Sequence, residues 1–145
     1  YHRRQRQMCI RDRDITFVEG SIHFINKLLD SNFQILVLTN IPFKYLDDRK
    51  HCFQKNGLNL QIIAGNGPKG LAVKELIKDF NEKVFFIDDL APHVSSVKEE
   101  VSRSKTIHYI SDERLSKLAV SPKEADFRAY SWKDIYNFLI NEVSG

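Results

Sequence analysis

Residues 84–89 read Val84-Phe85-Phe86-Ile87-Asp88-Asp89, four apolar residues followed by two carboxylates. A short, continuous apolar run is how a strand buried on both faces of a parallel sheet reads, because neither face can be polar. A carboxylate is costly to bury without a partner, so the acidic pair ends the strand. The two carboxylates then stand at its carboxyl end.

The same logic extends outward. Phe33 to Leu38 is a second apolar run, ending in Thr39-Asn40, and Leu60 to Ala64 is a third. Thr106 to Ile110 reads as a fourth strand. Between the strands lie helical spacings. Ile22, Ile25, Leu28 and Leu29 place a helix over Glu19 to about Asp30, which Ser31-Asn32 breaks. Pro42 opens a helix whose inner face is Tyr45, Leu46, Arg49, Cys52 and Phe53, and Asn56-Gly57 ends it. Val73, Leu76, Ile77 and Phe80 recur at i, i+3, i+4 and i+7. Val94, Val97 and Val101 mark another helix. Ser111 is the expected cap of a short helix through Leu118, and residues 119–129, with Pro122, read as loop. Ser131 and Asp134 form a capping-box-like start for a last helix carrying Ile135, Phe138 and Leu139. Strands alternating with helices predict βαβ units and a three-layer, Rossmann-like parallel α/β sheet. In such sheets the chemistry gathers at the carboxyl ends of the strands.

Composition bounds the function. At 145 residues the chain is about one domain, long enough to bury roughly two-thirds of its unfolded surface. It has no apolar run long enough to span a membrane and no apolar segment behind the basic N-terminus to make a signal peptide. Two cysteines, Cys9 and Cys52, make no disulfide framework, and a cytoplasmic setting is expected. The net charge of +3 is uneven: residues 1–13 hold five Arg and one Asp, leaving 17 basic against 18 acidic residues elsewhere. The basic character belongs to the leader. Nucleic-acid binding, which needs basic residues spread over a folded face, is not expected. The leader, YHRRQRQMCIRDR, resembles a translated sequencing adapter, so residues 1–13 are read as non-native or disordered and 14–145 as a single domain.

Three polar groups stand at the expected rim: Thr39-Asn40, Lys69 within Gly65-Asn66-Gly67-Pro68-Lys69-Gly70, and Asp88-Asp89. A hydroxyl, an ammonium and a carboxylate pair suit phosphoryl transfer if they share one pocket. Carboxylates hold Mg²⁺, a hard cation that wants oxygen ligands. Lys and Thr stabilise charge on the transferring oxygens, and backbone N–H groups add donors.

In this order the three groups resemble the motifs of the haloacid dehalogenase-like (HAD) hydrolase superfamily. Leu36-Val37-Leu38-Thr39-Asn40 matches its second motif, Gly67-Pro68-Lys69 its third, and Phe85-Phe86-Ile87-Asp88-Asp89 its fourth. The resemblance covers residues 19 to 110. It implies a Mg²⁺-dependent phosphatase acting on a phosphorylated small molecule through an aspartyl-phosphate. Thr39 and Asn40 would bind the phosphoryl group, Lys69 would neutralise it and orient the nucleophile, and Asp88 and Asp89 would hold Mg²⁺. The family's first motif, Asp-x-Asp-x-Thr/Val after a buried strand, has only a formal match in Asp12-Arg13-Asp14-Ile15-Thr16, preceded by residues that make a poor strand. The expectation is an N-terminally truncated domain lacking its first central strand. That strand would lie between those ending in Thr39 and Asp88, so this chain is expected to be poorly stable, aggregation-prone and inactive.

Other readings remain. Gly65-Gly67-Gly70 fits G-x-G-x-x-G, and Asp88 lies 23 residues after Gly65, as in a dinucleotide-binding domain. That reading leaves Thr39-Asn40 unexplained. A receiver domain uses similar groups in a different order. A non-catalytic phosphate-binding protein on the same fold is a further possibility. His23, His51 and His108 show no metal-ligand spacing, His93 reads as a helix-start residue, and Cys52 reads as core.

Overall fold

The computed structural model describes residues 18–144; the leader and the formal match at Asp12 to Thr16 lie outside them. The chain is α/β. In order it forms α1 (Ser21–Asp30), β1 (Leu36–Thr39), a 3₁₀ turn (Phe43–Tyr45), α2 (Leu46–Lys55), β2 (Gln61–Ala64), α3 (Lys69–Leu76), β3 (Phe85–Asp88), α4 (Ala91–Glu100), β4 (Lys105–Tyr109), α5 (Glu113–Leu118), β5 (Phe127–Ala129) and α6 (Trp132–Ser144). All strand pairings are parallel, compatible with a Rossmann-like fold. Two compact units divide the chain between Asn66 and Gly67.

The first unit holds a two-stranded sheet, with Leu36 opposite Gln61 and Thr39 opposite Ala64. α1 buries Ile25 and Leu28, as its spacing predicts. It ends in a reversal at Asn32, whose φ is +68°, and the Phe33 N–H returns to the Leu28 carbonyl at 3.1 Å. That closing turn takes up the start of the apolar run, so β1 begins at Leu36 rather than Phe33. α2 buries Arg49, Cys52 and Phe53, while Tyr45 and Leu46 are half-buried. It closes at Gly57, whose φ of +80° suits a residue without a side chain, and the Leu58 N–H reaches back to the Phe53 carbonyl at 2.9 Å.

The second unit holds a three-stranded sheet in the order β3-β4-β5. Phe85 lies opposite Lys105 and Ile107 opposite Phe127, a constant step of 20 residues. α4 packs against β3 and β4, burying Val94 and Val97 completely. α3 packs against α4 so closely that a Cβ on Gly70 would fall 2.3 Å from the Ser96 carbonyl oxygen. α6 buries Ile135 and Leu139 and stacks Phe138 on Phe127, ring centroids 4.4 Å apart.

Several expectations are corrected. The third predicted helix stops at Leu76, which is exposed, and its buried row is Lys69, Gly70 and Val73. Close approach to α4 at Gly70 selects that row over the more apolar one. The short helix α5 is capped by Asp112 rather than Ser111, because the longer carboxylate reaches the Arg114 N–H at 2.9 Å. Residues 119–129 are not all loop, since they contain β5. Polar pairing docks it: Asp126 Oδ2 accepts from the Thr106 N–H at 2.8 Å and Lys98 Nζ at 2.9 Å, and Thr106 Oγ1 donates to the Glu124 carbonyl at 2.8 Å. β1 and β3 are not buried on both faces; Leu36 is exposed, and Phe85, Phe86 and Ile87 are half-buried. Among the described residues β1 pairs only with β2, and β3 only with β4, so each lies at the edge of its own sheet.

Candidate functional site

Asp88 is the last residue of β3 and is buried. Its position at a strand's carboxyl end leaves the following N–H groups free of the ladder, and one of them, Leu90, donates to Asp88 Oδ1 at 2.9 Å. Lys69, first residue of α3, reaches Asp88 Oδ2 with its Nζ at 2.7 Å. Both side chains are almost wholly enclosed, at 4% and 1% exposure. Gly67, with a φ of +76°, and Pro68 aim the chain into α3. Burial pushes the Asp88 carboxyl up, but the Lys69 ammonium and the Leu90 N–H act the other way, and it lies below the usual carboxylate range. Asp88 is therefore ionised at neutral pH. Asp89 follows it directly and is half-buried.

Of the residues singled out from sequence, the second unit thus brings together Lys69, Asp88 and Asp89. Thr39 and Asn40 belong to the first unit, at the carboxyl end of β1. Thr39 is fully buried, and its carbonyl accepts the Gly65 N–H at 2.7 Å. Asn40 is exposed. The three glycines of the turn each have a local reason. A Cβ on Gly65 would meet Leu38 Cδ1 at 3.3 Å, Gly67 has positive φ, and Gly70 admits Ser96.

His108 is the site residue that spacing alone does not reveal. It lies opposite Asp88 on β4, and Arg128 lies opposite it on β5, so residues 88, 108 and 128 form one row across the sheet. His108 is 1% exposed. Its Nε2 lies 3.0 Å from the Asp89 carbonyl oxygen and its Nδ1 lies 2.7 Å from Ser121 Oγ. Burial lowers its pKa, reinforced by the nearby Arg128 charge and opposed by the Asp89 contacts. The 20-residue step was the available signal, but it depends on register.

Two adjacent carboxylates suit a hard cation that retains water and takes further oxygens from a substrate. Among the described residues each Asp88 oxygen accepts one hydrogen bond, and carboxylate oxygens with further lone pairs are the donors a hard cation such as Mg²⁺ takes. Among the described residues no group of three or more His, Cys, Asp or Glu could hold a metal. Among them, too, no helix is long and apolar enough to cross a membrane. In comparisons with known proteins, no family model, curated protein or solved structure matched the chain.

Proposed function

We propose that this chain belongs to a Mg²⁺-dependent phosphohydrolase of the HAD type, acting on a phosphorylated small molecule. The observation that carries the reading is the buried Lys69–Asp88 pair at the carboxyl end of β3, with Asp89 beside it. An ammonium and a carboxylate enclosed together at a strand end, with a second carboxylate half-buried beside them, cost free energy that a purely apolar filling would avoid. In this reading Asp88 and Asp89 hold the metal, which when bound neutralises charge on the phosphoryl oxygens. Lys69 keeps Asp88 ionised and presents a cation toward a phosphate. A carboxylate supplied from ahead of β1 attacks phosphorus, forming an aspartyl-phosphate while the ester P–O bond breaks and the alkoxide leaves with a proton.

The test is hydrolysis of p-nitrophenyl phosphate by the parental gene product with an Asp-x-Asp motif ahead of β1. Activity should need Mg²⁺ and vanish with EDTA. Asp88→Asn and Lys69→Met should each lower kcat by about 100-fold or more while the fold persists. Hydrolysis indifferent to EDTA and to both substitutions would overturn the reading.

A further inference from the structure

His108 and Arg128 of that row carry a chain of hydrogen bonds that the phosphatase reading does not itself require. Arg128 Nη1 donates to Ser121 Oγ at 2.9 Å, and its Nη2 donates to the Ser116 carbonyl at 2.9 Å. Ser121 Oγ lies 2.7 Å from His108 Nδ1, and His108 Nε2 lies 3.0 Å from the Asp89 carbonyl oxygen. A carbonyl can only accept, so Nε2 carries the hydrogen. Nδ1 of the neutral ring then accepts, and the Ser121 hydroxyl points its proton at it. Every hydrogen has one destination, so the imidazole has a single tautomer and a single orientation. The chain runs from α5 and the segment after it, through a fully enclosed ring, to the peptide bond that follows the acidic pair.

We infer that His108 is a positioning residue: it pins the Asp89 carbonyl and so fixes the 88–90 turn that presents the carboxylates, with Ser121 and Arg128 holding the ring in place. The inference rests on the metal-binding reading above and names a residue through which that site is set. Partners that orient a metal-binding group are commonly worth 10- to 100-fold in metal affinity. The Asp89 contact fixes backbone, so its loss frees both carboxylates together. The Leu90 N–H, bonded to Asp88 Oδ1, lies in the same turn and reports on it without any metal.

The experiment measures Mn²⁺ binding by electron paramagnetic resonance and Leu90 amide exchange by NMR in four forms of the chain. These are wild type, His108→Leu, His108→Gln and Ser121→Ala. His108→Leu should weaken Mn²⁺ binding about 10-fold or more and speed Leu90 exchange. His108→Gln, whose amide nitrogen can stand where Nε2 stands, should stay within about threefold of wild type, because it loses only the Ser121 hydrogen bond. Ser121→Ala should fall between them. A merely structural role would move stability in both His108 variants without separating them in Mn²⁺ affinity. A folded His108→Leu with wild-type Mn²⁺ binding and wild-type Leu90 protection overturns the inference and leaves the metal reading standing. A wild type that binds no Mn²⁺ overturns the metal reading, and Leu90 exchange then decides the positioning role alone. If His108→Leu does not fold, the His108→Gln and Ser121→Ala pair decides: equal Leu90 protection in the two overturns the role.

Discussion

Replacing Lys69 by Met leaves the Asp88 carboxylate enclosed with the Leu90 N–H as its remaining partner named above. The Nζ–Oδ2 distance is 2.7 Å and the two side chains are 4% and 1% exposed, so solvent cannot substitute for the lost ammonium. Breaking a buried pair by removing one partner typically costs about 3–5 kcal/mol. Domains of this size have total stabilities of about 5–15 kcal/mol, so the variant should stay folded at pH 7 with a clearly reduced margin. The pH dependence separates this cause from simple loss of packing. In the wild type Asp88 titrates below its unfolded value, so its contribution is present above about pH 4 and is lost as pH falls further. In Lys69→Met the carboxyl keeps its burial and loses the Lys69 charge, so it titrates higher than in the wild type. Its penalty is full at pH 7 and fades as pH falls toward 4. The difference between variant and wild type should therefore shrink between pH 7 and pH 4 without vanishing, because the wild-type contribution persists to about pH 4. Adding Asp88→Asn should restore most of the loss at pH 7, since the amide oxygen still accepts from Leu90. Urea unfolding followed by circular dichroism at both pH values measures this. A difference under about 1 kcal/mol at pH 7, or one that is constant with pH, would refute the argument.

Two further predictions concern stability alone. Gly70→Ala puts a methyl group 2.3 Å from the Ser96 carbonyl oxygen, and backbone cannot swing aside, so α3 and α4 must separate. A loss of about 2 kcal/mol or more is expected by thermal unfolding, against a small gain for an ordinary helical Gly→Ala change. Asp112→Ala should cost about 1 kcal/mol through loss of the α5 cap, whereas Ser111→Ala should cost a few tenths at most; paired urea titrations compare them.

The alternation of strands and helices was legible because β1, β2 and β3 fall in short apolar runs bounded by polar or glycine residues. Lys69 and Asp88 were legible because a charge beside a buried run must find a partner. What escaped was set by register and by polar docking. Phe127-Arg128-Ala129 has no β-branched residue and becomes a strand only because Asp126 and Thr106 tie it to β4. The extent of α3 followed the contact at Gly70 rather than the apolar repeat. His108 looked like one more scattered histidine until pairing set it beside Asp88. Thr39 was recognisable as a strand-ending hydroxyl, and its complete burial belongs to the packing of the first unit.

The constant 20-residue step between paired strands in the second unit also bears on kinetics. Each ladder there closes a chain segment of only 20 residues, and sheet order follows chain order. Loop-closure entropy grows slowly with length, and pairings between near neighbours keep the search short. β3, β4 and β5 can therefore zip in succession, each strand templating the next as it leaves the ribosome.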